Sequence, residues 1–255
     1  ALGAYAAASA VGAYFAGHYP AAGSFLLLIL AGIVVGGSAG LIVERGLLRP
    51  MYGRDEVVLV LVTYAAFLVF EDLIKLVWGV DPYFAYQPYE LLGRVSIGGI
   101  GFAVYDFGLF ALAIVIGVAA WWALERTRSG KLLRAVIHDR EISTAMGINV
   151  ARMFTATFVI GAILGALGGA ITAPAISVVP GIGVDVIVLA FAVSIIGGLG
   201  SVAGAAIGAL VVGLARACAV HLLPEVELFV IYAVMATVLA FRPQGLFGRP
   251  AARKI

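Results

Sequence analysis

Long apolar stretches separated by short polar segments dominate the hydropathy pattern of this chain. A helix needs roughly 20 apolar residues to cross a bilayer, and several of the stretches approach or reach that length. Their apolar runs are continuous, whereas the strands of a membrane barrel alternate between apolar and polar residues. The pattern predicts an all-α, polytopic helical bundle of about eight membrane spans, at residues 2–16, 24–43, 57–77, 102–124, 153–171, 186–199, 202–214 and 228–241.

The composition agrees with a chain that is surrounded by lipid. Hydrophobic residues make up 63% of the 255 and charged residues 12%, and the mean hydropathy is +1.12. Soluble domains carry about 25% charged residues, so a soluble class is excluded. The net charge of +2 is too small to indicate a nucleic-acid partner. Membrane lipid is therefore the surroundings that the composition predicts.

The basic residues predict the orientation of the spans, because Lys and Arg concentrate in cytoplasmic loops. With eight spans, only Lys75, Arg94 and Arg216 are placed outside. The remaining basic residues then face the cytoplasm together with the C-terminus, as expected for a multi-pass protein of the bacterial inner membrane. They are Arg45, Arg49, Arg54, Arg126, Arg128, Lys131, Arg134, Arg140, Arg152, Arg242, Arg249, Arg253 and Lys254.

A cluster of glycines interrupts the apolar stretch between residues 186 and 216. If that stretch were one crossing, the basic residues at the C-terminus would lie outside, against the positive-inside rule. The cluster at Gly197, Gly198 and Gly200 therefore predicts a hairpin or a broken helix near residues 197–201.

Glycines four residues apart recur in three series, and such series let two helix backbones approach closely in lipid. The third series, together with Gly197 and Gly198, is also a candidate gate, because irregular backbone at membrane depth is tolerated only beside protein or water. The three series are Gly32, Gly36 and Gly40; Gly161, Gly165 and Gly169; and Gly200, Gly204 and Gly208.

The loop at residues 78–101 is expected on the outer side. Its prolines and aromatic residues predict an ordered external cap with Tyr83, Phe84, Tyr86 and Tyr89 near the lipid headgroups. A solvated linker is the alternative.

The sequence lacks the chemistry of an ATPase or of an ion-driven carrier. The Gly130-Lys131 pair has Glu125 where a phosphate-binding loop needs its first glycine, and Leu132 where it needs Ser or Thr. No constellation for metal binding, a cofactor or catalysis is apparent, so we expect none. Charged residues in the spans lie only near outer ends, and they are Glu71, Asp72, Lys75 and Asp106. Energy for transport is therefore expected from a partner, because proton and ion pathways use intramembrane charges.

The longest inside loop, residues 125–152, is the candidate contact for that partner. Asp139 can cap a short helix over residues 140–146, and Gly147 can end it in a left-handed conformation. Ile142, Ala145 and Met146 then form an apolar face that suits the groove of another protein. A solvated loop that only holds the orientation remains the alternative.

Several motifs resemble those of branched-chain amino acid ABC transporter permeases. The inside loop contributes GKLLRAV at residues 130–136 with Asp139 and Glu141, and MGINV at residues 146–150. Further signatures are IGGLGSVAGA at residues 196–205, RPQGLFG at residues 242–248, and the pairs Glu44-Arg45 and Arg49-Pro50. The chain resembles the LivH type more than its LivM sister, whose loop usually lacks the Met-Gly-Ile-Asn run.

The resemblance implies one membrane permease domain over residues 1–255 that works with several partners. These are a second permease subunit, identical or LivM-like, two ABC ATPase subunits, and a periplasmic protein that supplies leucine, isoleucine or valine. Glu141 and Gly147 have the spacing of the Glu-Ala-Ala...Gly loop that docks permeases on ATPases, with Ile142 and Ser143 replacing the alanines. The family's N-terminal Asn-Phe-Ala-His-Gly segment is not found, so we expect roughly one helix upstream of Ala1.

The docking contacts are expected at Asp139, Arg140, Glu141, Ile142, Ala145, Met146, Gly147, Ile148 and Asn149. Polar side chains in spans are candidates for the substrate path, namely Thr63, Tyr64, Thr157 and Ser194. Urea, short amides or another small polar solute remain alternative substrates. A channel or secondary carrier without an ATPase is the alternative of another class.

Overall fold

Helices make up most of this computed structural model, which describes residues 1–97, 99–198, 200–222 and 224–247. Each of the eight apolar stretches that the sequence predicted lies mainly on a helix. The helices are α1 (Leu2–Ala16), α2 (Gly23–Val43), α3 (Glu56–Trp78), α4 (Gln87–Leu91), α5 (Val104–Arg126), α6 (Arg128–His138), α7 (Arg140–Ala145), α8 (Val150–Thr172), α9 (Ile182–Gly197), α10 (Val202–Leu222) and α11 (Glu227–Phe241).

Five helical segments of the described chain are long and apolar enough to cross a membrane: Gly23–Met51, Val57–Trp78, Val104–Arg126, Val150–Ala175 and Val202–Leu222. The apolar helices α1, α9 and α11 are shorter. The all-α, polytopic class is thereby confirmed, while the count of eight spans stays a prediction. Arg249, Arg253 and Lys254, which served to assign the C-terminus to the cytoplasm, lie outside the described residues.

The predicted external cap is ordered. It contains α4 and an antiparallel hairpin of β1 (Arg94–Ile97) and β2 (Ile100–Ala103), with Arg94 paired to Ala103. Because β2 takes up the first residues of the span predicted at 102–124, α5 begins only at Val104. The described part of this segment is therefore folded, and its place on the outer side of the membrane stays a prediction.

The described residues form two compact units, and the first consists of Ala1–Ala113 and Arg128–Ile182. Its most extensive helix contact joins α2 and α8 along Gly32, Gly36 and Gly40, the α2 glycine stripe. A Cβ added to Gly36 would lie 2.6 Å from the Cα of Ile163 and 2.7 Å from the carbonyl oxygen of Ala162. The two backbones touch because these glycines carry no side chain, which is how small residues hold helices together in lipid.

The second glycine series makes the predicted backbone contact at Gly169, where a Cβ would lie 3.4 Å from the backbone nitrogen of Ala4 in α1, but not at its other two positions. A Cβ on Gly161 or Gly165 would meet no described atom within 4 Å. The α8 surface that faces the α2 glycine stripe lies one residue further along, at Ala162, Ile163 and Ala166. The glycines of α2 leave room for α8 to approach closely. On the α8 side, alanine and isoleucine residues fill the contact.

A buried aromatic core lies at the cap end of the first unit. Tyr5 is fully buried, and its ring lies 5.9 Å from the Tyr83 ring, edge to face. Tyr83 also exchanges two backbone hydrogen bonds with Val178, at 2.9 and 3.0 Å. Tyr83 is half-buried against this core, and its position near the headgroups stays a prediction. Phe84 and Tyr86 are exposed, as expected for interfacial side chains.

The second unit consists of Ile114–Thr127 and the described residues of Gly183–Ile255. Its core is a small cluster in which Ala192, Ile196, Val212 and Ile231 are buried. These residues come from α9, α10 and α11, and they pack around the predicted break in the chain. The unit therefore places the glycine cluster beside its own hydrophobic core.

Candidate functional site

The short helix α7 begins as the sequence predicted. The Asp139 carboxylate oxygen Oδ1 accepts a hydrogen bond of 2.9 Å from the backbone N–H of Ile142, which satisfies one of the free donors at a helix start. Asn149 caps the start of α8 in the same way, since its Oδ1 accepts from the N–H of Arg152 at 3.0 Å. The first turns of α7 and α8 are thus each capped by the side chain that precedes them.

Gly147 ends α7 in the left-handed conformation that the sequence predicted. Its φ is +81°, and its N–H donates to the Thr144 carbonyl at 3.0 Å. The next N–H, of Ile148, donates to the Ser143 carbonyl at 3.1 Å, so the reversed turn satisfies carbonyls at the helix end. The helix is one residue shorter than predicted, because Met146 is its C-terminal cap.

The apolar face of α7 is open to the surroundings. Ile142 is 60% exposed and Met146 75%, and Ala145 is also exposed. Ser143 on the opposite face is buried, and its hydroxyl donates to the Asp139 carbonyl at 2.7 Å. The short helix α7 therefore presents large apolar side chains that are not covered by any described residue.

The neighbouring helix α6 differs from the sequence prediction, which places a loop at these residues. Leu133 and Val136 are buried and Lys131 is exposed, so α6 is amphipathic. The signal was available, because apolar residues at positions 132, 133, 136 and 137 have helical spacing. The helical spacing of these apolar residues is hard to recognise because many charged residues surround them.

The glycine cluster forms the tight hairpin that the sequence predicted near residues 197–201. Gly197 and Gly204 lie so close that a Cβ on either would overlap the backbone of the other. A Cβ on Gly208 would lie 2.5 Å from the Val193 carbonyl oxygen. Gly198 and Gly200 have φ of +95° and +84° in the turn, which favours glycine. Gly198 and Gly200 therefore form the turn, whereas Gly197, Gly204 and Gly208 make the close contact between the two helices.

The structure brings together the motif at residues 196–205 and the described part of the motif at residues 242–248. The N–H of Leu246 donates to the Ile196 carbonyl at 2.8 Å, and that of Phe247 donates to the Gly197 carbonyl at 3.1 Å. Gly245, with φ of +79°, lies against Gly198. The segment that follows α11 is thereby held on the end of α9. No signal in the sequence predicts this contact, since it joins residues about 50 apart.

The four candidates for the substrate path are divided between the two units. The Thr63 and Thr157 hydroxyls donate to carbonyls of their own helices, and the Tyr64 ring stacks near Phe67. These three belong to the first unit, whereas Ser194 belongs to the second. Hydroxyls in apolar helices commonly bond their own backbone, so a role in transport stays a prediction for all four.

A cavity of about 480 Å³ opens in the external cap, and it is lined by Tyr86, Tyr89, Glu90, Gly93, Arg94 and Ala103. The Tyr89 hydroxyl donates to Asp106 at 3.2 Å. Burial and this bond to a carboxylate raise the pKa of Tyr89, so the phenol stays protonated as a donor. The cap thus offers a small polar and aromatic cleft.

The charges near the outer ends of the spans are partly paired. Lys75 and Asp72 form an exposed ion pair at 3.2 Å. Glu71 is instead buried, and its Oε2 accepts from the N–H of Gly181 at 3.3 Å. Its carboxylate is therefore used inside the first unit.

Comparison with known proteins identifies the family. A family model described as "Branched-chain amino acid transport system / permease component" matches residues 1–239. The chain belongs to this family. It is thus a multi-pass permease subunit of an ABC transporter, and the resemblance noted in its motifs is confirmed. No solved structure matches the permease.

Three relatives illustrate the similarity. The permease is 27% identical over 237 residues to the high-affinity branched-chain amino acid transport system permease protein BraD of Pseudomonas aeruginosa, which covers 90% of this chain and 76% of the relative. It is 28% identical over 240 residues to the corresponding protein LivH of Escherichia coli, with 90% and 77% covered. The fructose import permease protein FrcC of Rhizobium meliloti is 32% identical over 122 residues, or 45% of this chain and 33% of the relative.

Proposed function

We propose that this permease forms part of an importer for leucine, isoleucine and valine in the bacterial inner membrane, powered by two partner ATPases. The observation that carries the proposal is α7, a short helix capped by Asp139 and Gly147 whose apolar side chains Ile142 and Met146 are exposed. A compact helix with an exposed apolar face suits the groove of a partner protein. The residues that would meet the ATPase are Asp139, Arg140, Glu141, Ile142, Ala145, Met146, Gly147, Ile148 and Asn149.

The mechanism follows from the way in which α7 joins the membrane helices. When the ATPases close on ATP, they displace α7, and α8 follows because only a capped turn at Asn149 separates the two helices. The α2 glycine stripe packs against α8, so both helices move as one body. The displacement would open the gate at Gly197, Gly198, Gly200, Gly204 and Gly208, and a periplasmic binding protein would deliver the substrate at the external cap.

The substrate is proposed from the relatives, since BraD and LivH are named as branched-chain amino acid permeases. We expect labelled leucine, but not labelled urea, to accumulate in vesicles that contain the assembled transporter, its binding protein and internal ATP. Accumulation of urea or of a short amide instead would transfer the same mechanism to another solute. The partial similarity to a fructose permease supports this second candidate, a solute other than a branched-chain amino acid.

A carrier that works without an ATPase is the alternative of another class. It would move leucine into vesicles that contain the permease alone, whereas the proposed importer requires ATP and its partners. The same vesicles without ATP therefore separate the two classes.

The orientation of the α6–α7 segment can be tested with engineered cysteines, because Cys218 is the only cysteine. In a Cys218→Ser background, we expect Ile137→Cys in α6 to be protected in intact cells from a membrane-impermeant maleimide and labelled after permeabilisation. Phe84→Cys in the cap is the matched control and should react in intact cells. Both native side chains are more than half exposed, at 68% and 52%. Labelling of position 137 in intact cells would place α7 out of reach of any ATPase.

A second permease subunit, identical or LivM-like, is proposed to complete the passage. Tyr105 is the one buried residue among the described residues of α5, so almost none of this apolar helix is buried. Such a helix requires lipid or another membrane subunit around it.

A further inference from the structure

A buried carboxylate lies where α2 ends, beside the start of α8. Glu44 has no exposed surface. Its Oε1 lies 2.7 Å from the Thr155 hydroxyl and 3.2 Å from the Tyr52 hydroxyl. Its other oxygen, Oε2, has no hydrogen-bond partner among the described residues. A buried carboxylate with one unsatisfied oxygen is costly for a fold, so its presence calls for a reason other than stability.

Aromatic contacts connect this carboxylate to α7. The Tyr52 ring lies 5.4 Å from the Phe154 ring, and the Arg140 guanidinium lies 5.8 Å from the centre of that same Phe154 ring. A guanidinium at this distance is attracted to the face of the ring. Burial, followed by the nearby Glu44 carboxylate, raises the pKa of Tyr52, so its hydroxyl remains a hydrogen-bond donor. The contacts thus run without a gap from Arg140 in α7 to Glu44 at the end of α2.

We infer that Glu44 is a positioning residue that fixes the end of α2 to α8, so that a displacement of α7 moves both helices together. The inference deepens the proposed function and rests on it. Thr155 and Phe154 are neighbours in α8, and one bonds Glu44 while the other contacts Arg140. A push on α7 therefore reaches α8 and the end of α2 at the same place. Beyond that point the α2 glycine stripe keeps the two helices in backbone contact.

Thr155→Val removes the bond to Glu44 while keeping the shape of the side chain, and the Tyr52 hydroxyl still donates to the same Glu44 oxygen. The Thr155 hydroxyl also lies 3.0 Å from the Ala151 carbonyl of its own helix, and valine has nearly the same shape as threonine. Thr172→Val is a matched control, because the Thr172 hydroxyl donates only to the Gly168 carbonyl within the same helix. Thr155→Ser keeps the hydroxyl and should restore the behaviour of the original permease.

The test compares these variants in vesicles that contain the complete transporter, with labelled leucine outside and ATP available to the ATPases. We expect Thr155→Val to raise the ATP consumed per leucine about tenfold, which corresponds to about 1.4 kcal/mol of lost coupling. Thr172→Val and Thr155→Ser should stay near the original ratio, and all three should melt at similar temperatures. Glu44→Met combined with Thr155→Val should be no worse than Glu44→Met alone, because the single change already removes the contact between Thr155 and Glu44.

A second measurement does not depend on which solute is carried. An environment-sensitive fluorophore is attached at Leu26→Cys, near the start of α2 and 62% exposed, in the Cys218→Ser background. Trapping the ATPases with ATP and vanadate should change its emission in the original permease and in Thr172→Val, but not in Thr155→Val. Leucine uptake that fails in every variant would count against the proposed substrate, and the fluorophore would still decide the role of Glu44.

Three outcomes would overturn the inference. In the first, Thr155→Val keeps both the original ATP ratio and the fluorescence change. In the second, Thr155→Val and Thr172→Val lose coupling equally, which would assign the effect to α8 as a whole. In the third, Thr155→Val loses transport together with a large fall in melting temperature, which would make Thr155 and Glu44 structural residues.

Discussion

Gly147→Val should abolish the stimulation of ATP hydrolysis by substrate-loaded binding protein, while the permease still inserts into the membrane. Gly147 has φ of +81°, a conformation that costs a side-chain-bearing residue about 1–2 kcal/mol, and more for a β-branched one. The six residues of α7 cannot absorb that strain, because so short a helix depends on its caps. The measurement is the ATPase rate of the reconstituted transporter with and without loaded binding protein.

Gly79→Val is the matched control for this prediction. Gly79 has φ of +82°, and a Cβ at either glycine would meet no described atom within 4 Å. Gly79 has ψ of −162°, a conformation essentially restricted to glycine, so Gly79→Val introduces at least as much strain as Gly147→Val in equally open surroundings. If α7 couples the permease to the ATPase, only Gly147→Val loses stimulation. Equal losses in both variants would attribute the effect to general destabilisation, and normal stimulation in Gly147→Val would exclude α7 from coupling.

Gly36→Ala should destabilise the first unit strongly. The new Cβ would lie 2.6 Å from the Cα of Ile163 and 2.7 Å from the Ala162 carbonyl oxygen, and neither backbone atom can move without shifting α8. Overpacking of this kind costs about 1–3 kcal/mol. For a chain of this size that corresponds to a fall of about 5 °C in melting temperature, measured on the purified permease in detergent.

Gly37→Ala tests whether the effect belongs to the helix contact. A Cβ on Gly37 would lie 3.7 Å from the end of the Ile163 side chain, an ordinary contact distance. This variant should therefore keep the original melting temperature or exceed it slightly, because alanine favours a helix more than glycine does. A Gly36→Ala permease as stable as Gly37→Ala would show that α2 and α8 are not in backbone contact.

Local signals predicted α7 correctly because the chemistry of its ends lies within a few residues. Asp139 bonds an N–H three residues away, and Gly147 adopts the conformation that glycine permits without strain. The extent of α6 was missed, since its apolar residues are few and surrounded by charge. Glu44 was noted only as part of a motif. Its contacts with Tyr52 and Thr155 could not be predicted, because Thr155 is 111 residues away along the chain.

The glycine series show the same division. Spacing by four predicts that glycines share a helix face, but not which neighbour that face will meet. The α2 stripe meets α8, whereas Gly161 and Gly165 meet no described atom, although the two series look alike in the sequence.

The amino-acid order alone was enough to predict a helical membrane protein, a chain reversal near residues 197–201 and a capped helix at Asp139, because hydropathy, glycine conformation and capping act within one helix length. The pairing of α2 with α8, the docking of residues 245–247 on the end of α9, and the burial of Glu44 required the folded chain. They depend on contacts between segments far apart in sequence, and no pattern in one segment specifies which partner it will meet.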